Sequence, residues 1–325
     1  MIISRTPLRI SLMGGGTDFP RYYLNHGGAV LNAAINKYMY VMVNKRFARD
    51  VRVAYTKTEI VEHFGELEHE LIREAMRLTG ATEQLDIATV SDIPARGTGL
   101  GSSSAVTVGA LNALHAYRGR HVSANELARE ACSIEIDILG HPIGKQDQYI
   151  AAHGGVRFIS FETNGDVVAE PLPCTRERRD ELEASLMLFY TRVTRKANDV
   201  LAKQNSRTEL NVPLLDRLAE MASRMREVVG GDGDLDEVGE LLHENWELKK
   251  QLAQGITNDE IDALYAAARS AGAIGGKITG AGGGGFVLLY CPKHKHGSVR
   301  AALSELQETR FAFEPHGSQI IFVSD

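Results

Sequence analysis

The chain has 325 residues, of which 43% are hydrophobic and 24% charged, and it carries a formal net charge of -6 at pH 7. This length allows two domains of ordinary size, and the composition is typical of a soluble globular protein. The acidic balance disfavours a nucleic-acid-binding surface, and no apolar run reaches the ~20 residues of a membrane span. The first residues lack the long apolar region of a signal peptide, and three widely spaced cysteines favour reduced thiols. We therefore predict a cytoplasmic protein that binds neither nucleic acid nor membrane.

The first half of the chain is predicted to be rich in strands and then to alternate strands with helices. Alternating or β-branched apolar residues predict strands over residues 2–12, 29–35, 38–46, 51–55, 85–90 and 156–161. Helical patterns cover residues 69–78, 105–117 and 123–138. Ser123 followed by Glu126 has the spacing of a capping box, which predicts where the third of these helices begins.

The second half begins with a charged run at residues 176–183, which we take as the approach to a second domain. Strands are predicted over residues 185–191, 286–291 and 319–323. Helices are predicted over residues 196–205, 212–229, 235–252, 258–271 and 299–308, with Asn258 as an N-cap. The pattern as a whole is α+β, and we predict domains at residues 1–180 and 181–325.

The loop between the predicted strand 85–90 and the predicted helix 105–117 is rich in glycine and then in serine. Glycine permits positive φ angles and a close approach of the backbone, and the start of a helix offers unpaired N–H groups to an anion. Serine is a favoured N-cap, so the bland alternative is a serine-capped glycine turn. A Walker A loop is excluded, because no Gly-Lys-Ser/Thr follows the required spacing. The loop comprises Gly97, Thr98, Gly99, Leu100, Gly101, Ser102, Ser103 and Ser104.

Two further motifs accompany this loop. The first reads Pro7-x-Arg9-x-x-Leu12-x-Gly14, followed by Asp18, and the last is K-I-T-G-A-G-G-G-G at residues 277–285. In this order the three motifs resemble the signatures of the GHMP small-molecule kinases, which include galactokinase and the homoserine, mevalonate and phosphomevalonate kinases. Within that superfamily, G-G-G-T-D and G-K-Q-D-Q most resemble the D-glycero-D-manno-heptose 7-phosphate kinases and next the L-fucose kinases.

The resemblance implies the two-domain GHMP kinase fold, α+β in class. Residues 1–180 would form an ATP-binding, ribosomal-protein-S5-domain-2-like domain, and residues 181–325 a ferredoxin-like α/β domain. It also implies ATP and Mg²⁺ as cofactors. The phosphates of ATP would be bound by Gly97, Gly99, Leu100, Gly101, Ser102, Ser103 and Ser104.

The metal ligands that the resemblance implies are Ser103 and Glu135, in keeping with the oxygen ligands that Mg²⁺ prefers. An arbitrary helix glutamate would more often be an exposed carboxylate, but Glu135 stands five residues before Gly140, as the family pattern requires. Asp147 is the candidate general base, and Arg9 is the candidate cation for the transferring charge. The alternatives are a turn aspartate and an ordinary strand arginine. The segment G-H-P-I-G-K-Q-D carries one residue more than the mevalonate kinase pattern, which leaves the register of Asp147 open by one position.

The predicted substrate contacts lie in the first and third motifs. Galactokinase-like members have a Glu-His pair at the positions of Gly15 and Gly16, so a larger or differently oriented sugar is expected here. Asp18 matches the acid that binds sugar hydroxyls in those members. The glycine run at 280–285 is expected to abut the phosphate loop. The substrate set is Gly15, Gly16, Thr17, Asp18, Gly282 and Gly283, with Arg96, Lys145 and Arg195 as candidates for binding a substrate phosphate.

The resemblance, carried by these residues, implies an ATP-dependent kinase that phosphorylates the C1 hydroxyl of D-glycero-D-manno-heptose 7-phosphate. The alternatives are an L-fucose kinase or another GHMP kinase and, from a different class, a non-catalytic ligand-binding protein on the same fold. The expected partners are the sugar phosphate and ATP, and a homo-oligomer is possible.

Overall fold

The computed structural model describes residues 1–94, 97–193 and 197–324, and within them the chain forms two β-sheets covered by helices. The first sheet has eight strands. These are β1 (Ile2–Met13), β2 (Gly28–Lys45), β3 (Val51–Ala54), β4 (Thr58–Val61), β5 (Leu85–Ser91), β6 (Val156–Phe161), β7 (Val167–Pro171) and β12 (Gln319–Val323). The second sheet has four antiparallel strands, β8 (Leu186–Tyr190), β9 (Gly275–Ile278), β10 (Phe286–Tyr290) and β11 (Gln307–Glu308), in the order β11-β8-β10-β9.

The helices of the first half are α1 (Pro20–His26), α2 (Glu70–Thr79), α3 (Ser102–Tyr117), α4 (Ala124–Cys132) and α5 (Gln146–His153). Those of the second half are α6 (Arg176–Ser185), α7 (Ala197–Ser206), α8 (Val212–Gly230), α9 (Asp236–Leu252), α10 (Asp259–Ser270) and α11 (His296–Ala302). None of the helices within the described ranges combines the length and apolar character needed to cross a membrane.

Predicted helix ends with a clear cap are confirmed. The Ser123 hydroxyl accepts from the Glu126 N–H at 3.2 Å, and the Asn258 side chain accepts from the Ile261 N–H at 2.9 Å. The helix predicted over residues 69–78 begins after His69 and ends at Gly80, whose φ of 68° is left-handed. Each cap depends on residues that are close together in the sequence, which is why a sequence pattern can predict it.

Four predicted elements differ from the structure. The strands predicted at 29–35 and 38–46 form one continuous strand, β2, because β1 pairs along both parts of it. The helix predicted over 123–138 is α4 followed by a π-helical segment, Ser133–Ile138. The helix predicted over 299–308 stops at Ala302, since Gln307–Glu308 adds to the edge of β8. Beyond these four, several elements were not predicted at all, among them the helices α1, α5 and α6 and the strands β4, β7, β9 and β11.

The end of the chain returns to the first sheet. β12 pairs antiparallel with β1, with Ile2 opposite Val323. An isolated bridge between Ile35 and Phe313 adds a second connection. The division into residues 1–180 and 181–325 stays a prediction, but this last strand belongs to the same sheet as the N-terminus.

The helix α3 is packed closely onto the middle of the first sheet. A side chain at Gly109 would bring Cβ within 2.8 Å of the Thr6 hydroxyl, and the Ser4 hydroxyl donates to the Gly109 carbonyl at 2.7 Å. Because this contact holds α3 against β1, it also fixes the position of the N-terminus of α3 relative to β1.

Candidate active site

A cavity of about 760 Å³ lies where the glycine-serine loop, β1 and α5 meet residues of the C-terminal half. The groups that line this cavity include carboxylates, cations and the backbone of glycine residues. Its lining includes Arg9, Ser11, Gly15, Gly16, Asp18, Gly97, Thr98, Gly99, Gly101, Ser102, Ser103, Ser104, Gln146, Asp147, Gln204, Lys249, Gly280 and Ala281.

The glycine loop has the backbone that the sequence predicted. Gly97, Gly99 and Gly101 have φ angles of 71°, 72° and 77°. A Cβ at Gly99 would lie 2.4 Å from the Thr279 carbonyl oxygen, and one at Gly280 would lie 2.6 Å from the Cα of Gly99. The third motif therefore lies against the loop, as expected, and glycine is required on both sides of this contact.

The three serines do not cap α3 with their side chains. The N-cap is Gly101, and α3 begins at Ser102, three residues earlier than predicted. Ser103 is exposed, whereas Ser102 and Ser104 are buried. The first-turn N–H groups of α3 thus face the cavity wall without a serine cap, which leaves them available to an anion. The predicted role of serine as N-cap is wrong, because the αL glycine already turns the chain into the helix.

The predicted base and its predicted cation form one unit. The guanidinium of Arg9 donates two hydrogen bonds to the carboxylate of Asp147, at 2.7 and 2.6 Å, and a third to the Gly99 carbonyl. Arg9 is 5% exposed, and Asp147 stands in the first turn of α5. A bidentate Arg–carboxylate pair fixes the plane of the carboxylate. Arg9 therefore joins the candidate base directly to the phosphate loop.

Asp18 lies in the cavity wall and is almost fully buried. Its carboxylate accepts from the Gly16 N–H at 3.0 Å, and from the Gln146 N–H and amide at 3.2 and 2.9 Å. Burial raises the pKa of Asp18, although these hydrogen bonds oppose that shift. Gly144 packs on this carboxylate so closely that a Cβ there would lie 2.0 Å from an oxygen. The acid is thus held rigidly between the first motif and the start of α5.

Glu135 lies behind the serine turn on the π-helical segment and is fully buried. Its carboxylate accepts from the Ser104 hydroxyl at 3.2 Å and from the Gln148 amide at 3.1 Å. Burial raises its pKa to about 7. The neighbouring serine that bonds to Glu135 is therefore Ser104, whereas the predicted co-ligand Ser103 points to the exposed side of the turn. Adjacent helical residues differ by ~100° in direction, which separates the two hydroxyls.

The predicted substrate residues divide into two groups. Gly15, Gly16 and Asp18 line the cavity. Thr17 is buried, and its hydroxyl donates to the Gly14 and Ala29 carbonyls, both at 2.9 Å, so it holds the loop together. Gly282 and Gly283 do not line the cavity; they pack on Ile256, whose carbonyl accepts from the Gly283 N–H at 2.7 Å. Leu100 of the phosphate loop is likewise in the core, and its carbonyl accepts from the Arg9 N–H.

Of the three residues predicted for a substrate phosphate, Arg96 and Arg195 lie outside the described residues. Lys145 lines a different cavity, where its ammonium stands 5.1 Å from the centre of the Tyr23 ring and donates to the Gly165 carbonyl at 3.4 Å. The residue just before Gln146 thus points away from the catalytic cavity.

Gln146 and Lys249 are among the cavity residues that were not predicted as functional. The carbonyl of the Gln146 side chain accepts from Ser11 at 3.0 Å and from Asn32 at 3.2 Å, while its amide donates to Asp18. A signal for Lys249 was present: it follows the buried Trp246 by three residues, so it falls on the apolar face of α9. Gln146 stands in the G-K-Q-D-Q segment that resembles the heptose kinases, but no role was predicted for it.

A glycine-lined helix N-terminus beside a positioned carboxylate suits phosphoryl transfer, in which positioning and charge stabilisation do most of the work. The fold and the site thus define a small-molecule kinase. Residues 61–155 match the GHMP kinases N terminal domain, and residues 207–309 match the GHMP kinases C terminal domain. The chain belongs to the GHMP kinases, as its three motifs predicted.

Individual relatives are similar over nearly the whole chain. The D-glycero-alpha-D-manno-heptose 7-phosphate kinase of Campylobacter jejuni is 31% identical, with 94% of each chain covered. A crystal structure of a D-glycero-D-manno-heptose 1-phosphate kinase from Bacteroides thetaiotaomicron superposes with a TM-score of 0.83, at 28% identity and with 100% of both chains covered. The L-fucokinase/L-fucose-1-P guanylyltransferase of Bacteroides fragilis is 30% identical over 92% of this chain and 35% of that longer protein.

Proposed function

We propose that this protein transfers the γ-phosphoryl group of ATP to the anomeric C1 hydroxyl of D-glycero-D-manno-heptose 7-phosphate, which gives the 1,7-bisphosphate and ADP. The observation that carries this proposal is the Arg9–Asp147 pair, which holds a carboxylate against the phosphate loop inside the cavity. The relative named a heptose 7-phosphate kinase supports this acceptor, whereas the solved structure named a heptose 1-phosphate kinase supports a heptose phosphate without supporting the position of its phosphate.

The chemistry would follow from the positions of these groups. Asp147 accepts the proton of the C1 hydroxyl as the sugar oxygen bonds to the γ-phosphorus and the bond to the ADP oxygen breaks. Arg9 holds the carboxylate in place and adds positive charge where the phosphoryl oxygens pass. The backbone N–H groups at the start of α3 bind the phosphates. The chain thus provides a base, a cation and an anion cradle within one cavity.

The residues also fit Mg²⁺. Glu135 is a buried carboxyl group without a cation partner among the described residues, so a bound cation would stabilise its charged form. We propose that Glu135 holds the ion together with a serine hydroxyl, either the exposed Ser103 or the nearer Ser104. When bound, the ion would neutralise phosphate charge and orient the transferred group.

The acceptor sugar would be recognised by backbone groups and by the carboxylate of Asp18. A Cβ at Gly15 would not clash, since it would lie in ordinary van der Waals contact with the nearest atoms, at 3.7 and 3.8 Å. Asp18, held by Gln146, accepts from sugar hydroxyls. A site with bare backbone at Gly15 leaves room for the exocyclic tail of a heptose, whereas a side chain here would occupy that room.

The test is a panel of acceptors in an ATP-consumption assay with the product identified by ³¹P NMR. The panel contains heptose 7-phosphate, heptose 1-phosphate, unphosphorylated heptose, L-fucose and mevalonate. We expect the highest kcat/KM for heptose 7-phosphate and a new anomeric phosphate signal. Preferred turnover of heptose 1-phosphate would reverse the order of phosphorylation, and it would also contradict the role of C1.

The second candidate is an L-fucose kinase, which the match to the Bacteroides fragilis protein over 92% of this chain favours. A kcat/KM for L-fucose equal to that for the heptose phosphate would replace the first proposal by this one. Absence of ATP turnover with every acceptor would favour the non-catalytic alternative.

A further inference from the structure

Lys249 is a buried cation in the wall of the catalytic cavity. Only 4% of its surface is exposed, and its ammonium donates to the carbonyl of Gly280. It forms no salt bridge with any residue in the ranges 1–94, 97–193 and 197–324. An ammonium has three N–H donors, and a buried one without a counter-charge is strongly unfavourable. The protein thus retains, at a cost in stability, a cation that faces the cavity.

The charges around Lys249 do not neutralise it. Arg9 on β1 and Lys277 on β9 are the neighbouring cations, and Lys277 is fully buried with its ammonium 3.4 Å from the Leu12 carbonyl. The nearby carboxylates are Asp147, which Arg9 holds, and Asp18, which three N–H groups hold. Among the residues that the structure describes, two carboxylates therefore face three basic groups, although the chain as a whole has a net charge of -6.

Burial and, to a smaller extent, the charge of Arg9 lower the pKa of Lys249 to about 8, although Asp18 and Asp147 oppose the shift. Burial also lowers the pKa of Lys277 well below its ordinary value. An anion bound beside Lys249 would favour the charged ammonium and so reverse this shift. The local excess of basic groups is therefore suited to an anionic ligand.

We propose that Lys249 binds a phosphate group of a ligand in the catalytic cavity. The proposal rests on the proposed kinase function and adds a binding residue to it. The phosphate could belong to ATP or to the sugar acceptor. Lys249 bonds to Gly280, which touches Gly99 of the phosphate loop, so its ammonium lies on the nucleotide side of the cavity. We therefore expect it to contact the phosphoryl group in transfer.

The variants are Lys249→Met, which keeps the length but removes the charge, and Lys249→Arg, which keeps the charge. The matched control is Lys250→Met, because Lys250 is the next residue of α9 and pairs with Glu247 at 2.7 Å, outside the cavity lining. We expect Lys249→Met to lower kcat/KM by about 10- to 100-fold, the effect of losing one charge-assisted hydrogen bond. Lys249→Arg should recover part of this loss, and Lys250→Met should stay within about twofold of the wild type.

The melting temperature distinguishes a role of Lys249 in phosphate binding from a structural role. Replacing a buried, unpaired ammonium by an apolar side chain should leave the melting temperature unchanged or raise it. A variant that is as stable as the wild type but has lost activity would support the proposal. Full activity in Lys249→Met, or a loss of activity that follows a loss of folded protein at the assay temperature, would overturn it.

The two phosphate sources give different results. If the transferred group is the ligand, kcat falls with every acceptor that the wild type accepts, whether or not the acceptor carries a phosphate. If the acceptor phosphate is the ligand, KM rises for the phosphorylated sugar alone. In either case, the wild-type kcat/KM should fall as the pH rises through the pKa of Lys249, about 8, and Lys249→Arg should keep its activity there.

Calorimetry keeps the test independent of the acceptor. Binding of inorganic phosphate and of a non-hydrolysable ATP analogue is measured on wild type, Lys249→Met and Lys250→Met. A loss of about tenfold or more in affinity for either ligand, in Lys249→Met only, would support the proposal even if no sugar in the panel were phosphorylated. Equal affinities in all three proteins, together with unchanged kinetics, would refute it.

Discussion

Replacing Asp147 by asparagine is the most direct perturbation of the candidate site. The substitution keeps the size of the side chain but removes the basic oxygen and places an N–H₂ group opposite the donors of Arg9. Loss of a general base typically lowers kcat by 10²–10⁴-fold, so we expect a loss of at least ~100-fold. The affinity for ATP should change little, because the N-terminus of α3 and the glycine loop are untouched.

The same substitution also has a cost in stability that the structure allows us to bound. Breaking a buried ion pair costs about 3–5 kcal/mol. The Asp147 side chain is 23% exposed, and Arg9 retains its bond to the Gly99 carbonyl, so the cost should fall below that range. At about 2–4 °C per kcal/mol, a cost below about 3 kcal/mol lowers the melting temperature by no more than roughly 6–12 °C. Activity must therefore be measured well below the melting temperature of the variant.

The assay measures kcat and KM for both substrates, together with calorimetric binding of an ATP analogue. The matched control is Asp86→Asn, since Asp86 pairs with Arg52 at 2.8 Å on the first sheet, outside the catalytic cavity. This control should lose no activity. It should lose little stability, because ion pairs near the surface contribute about 0–1 kcal/mol. Turnover of Asp147→Asn close to that of the wild type would remove Asp147 from the mechanism.

Three further predictions test the surroundings of this pair. Glu135→Gln should raise the Mg²⁺ concentration needed for half-maximal activity, and an unchanged Mg²⁺ titration would place the ion elsewhere. Gly99→Ala would put Cβ 2.4 Å from the Thr279 carbonyl and should weaken binding of the ATP analogue by at least ~10-fold by calorimetry. Gly119→Ala is its control, because it has the same φ of 72° but no atom within 4 Å; equal effects would refute the steric argument. Thr17→Val should lower the free energy of unfolding in a urea titration by about 1–3 kcal/mol and leave the acceptor KM unchanged, whereas a selective rise in KM would return Thr17 to the substrate site.

The family and its motifs could be predicted from the sequence because they depend on local requirements. A phosphate loop needs positive φ angles, and the three glycines that predicted them have those angles. The caps at Ser123 and Asn258 likewise involve residues three apart in the chain. The pairing of Arg9 with Asp147 depends on residues 138 positions apart, and only the resemblance to a family placed them in one site.

The directions of the side chains could not be predicted from the sequence. Thr17, Gly282 and Lys145 stand next to cavity residues in the chain, yet their own contacts lie elsewhere. Neighbouring residues in a turn or helix point in different directions, so proximity in sequence does not transfer a role from one to the next. For the same reason the serine that bonds to Glu135 is Ser104, while Ser103, predicted as a ligand of Mg²⁺ together with Glu135, is exposed.

The sequence by itself determined the strands and helices with clear periodicity, the glycine loop and membership of the GHMP kinases, since these follow from short-range backbone preferences and from motif order. The tertiary structure decided what long-range packing controls. It brought β12 back to β1, merged two predicted strands into β2, and closed the cavity with Lys249 and Gly280 from the second half of the chain. The spacing of Lys249 from Trp246 indicated the buried face of α9, but only the fold shows which groups surround its ammonium, and its burial is what gives its charge an effect.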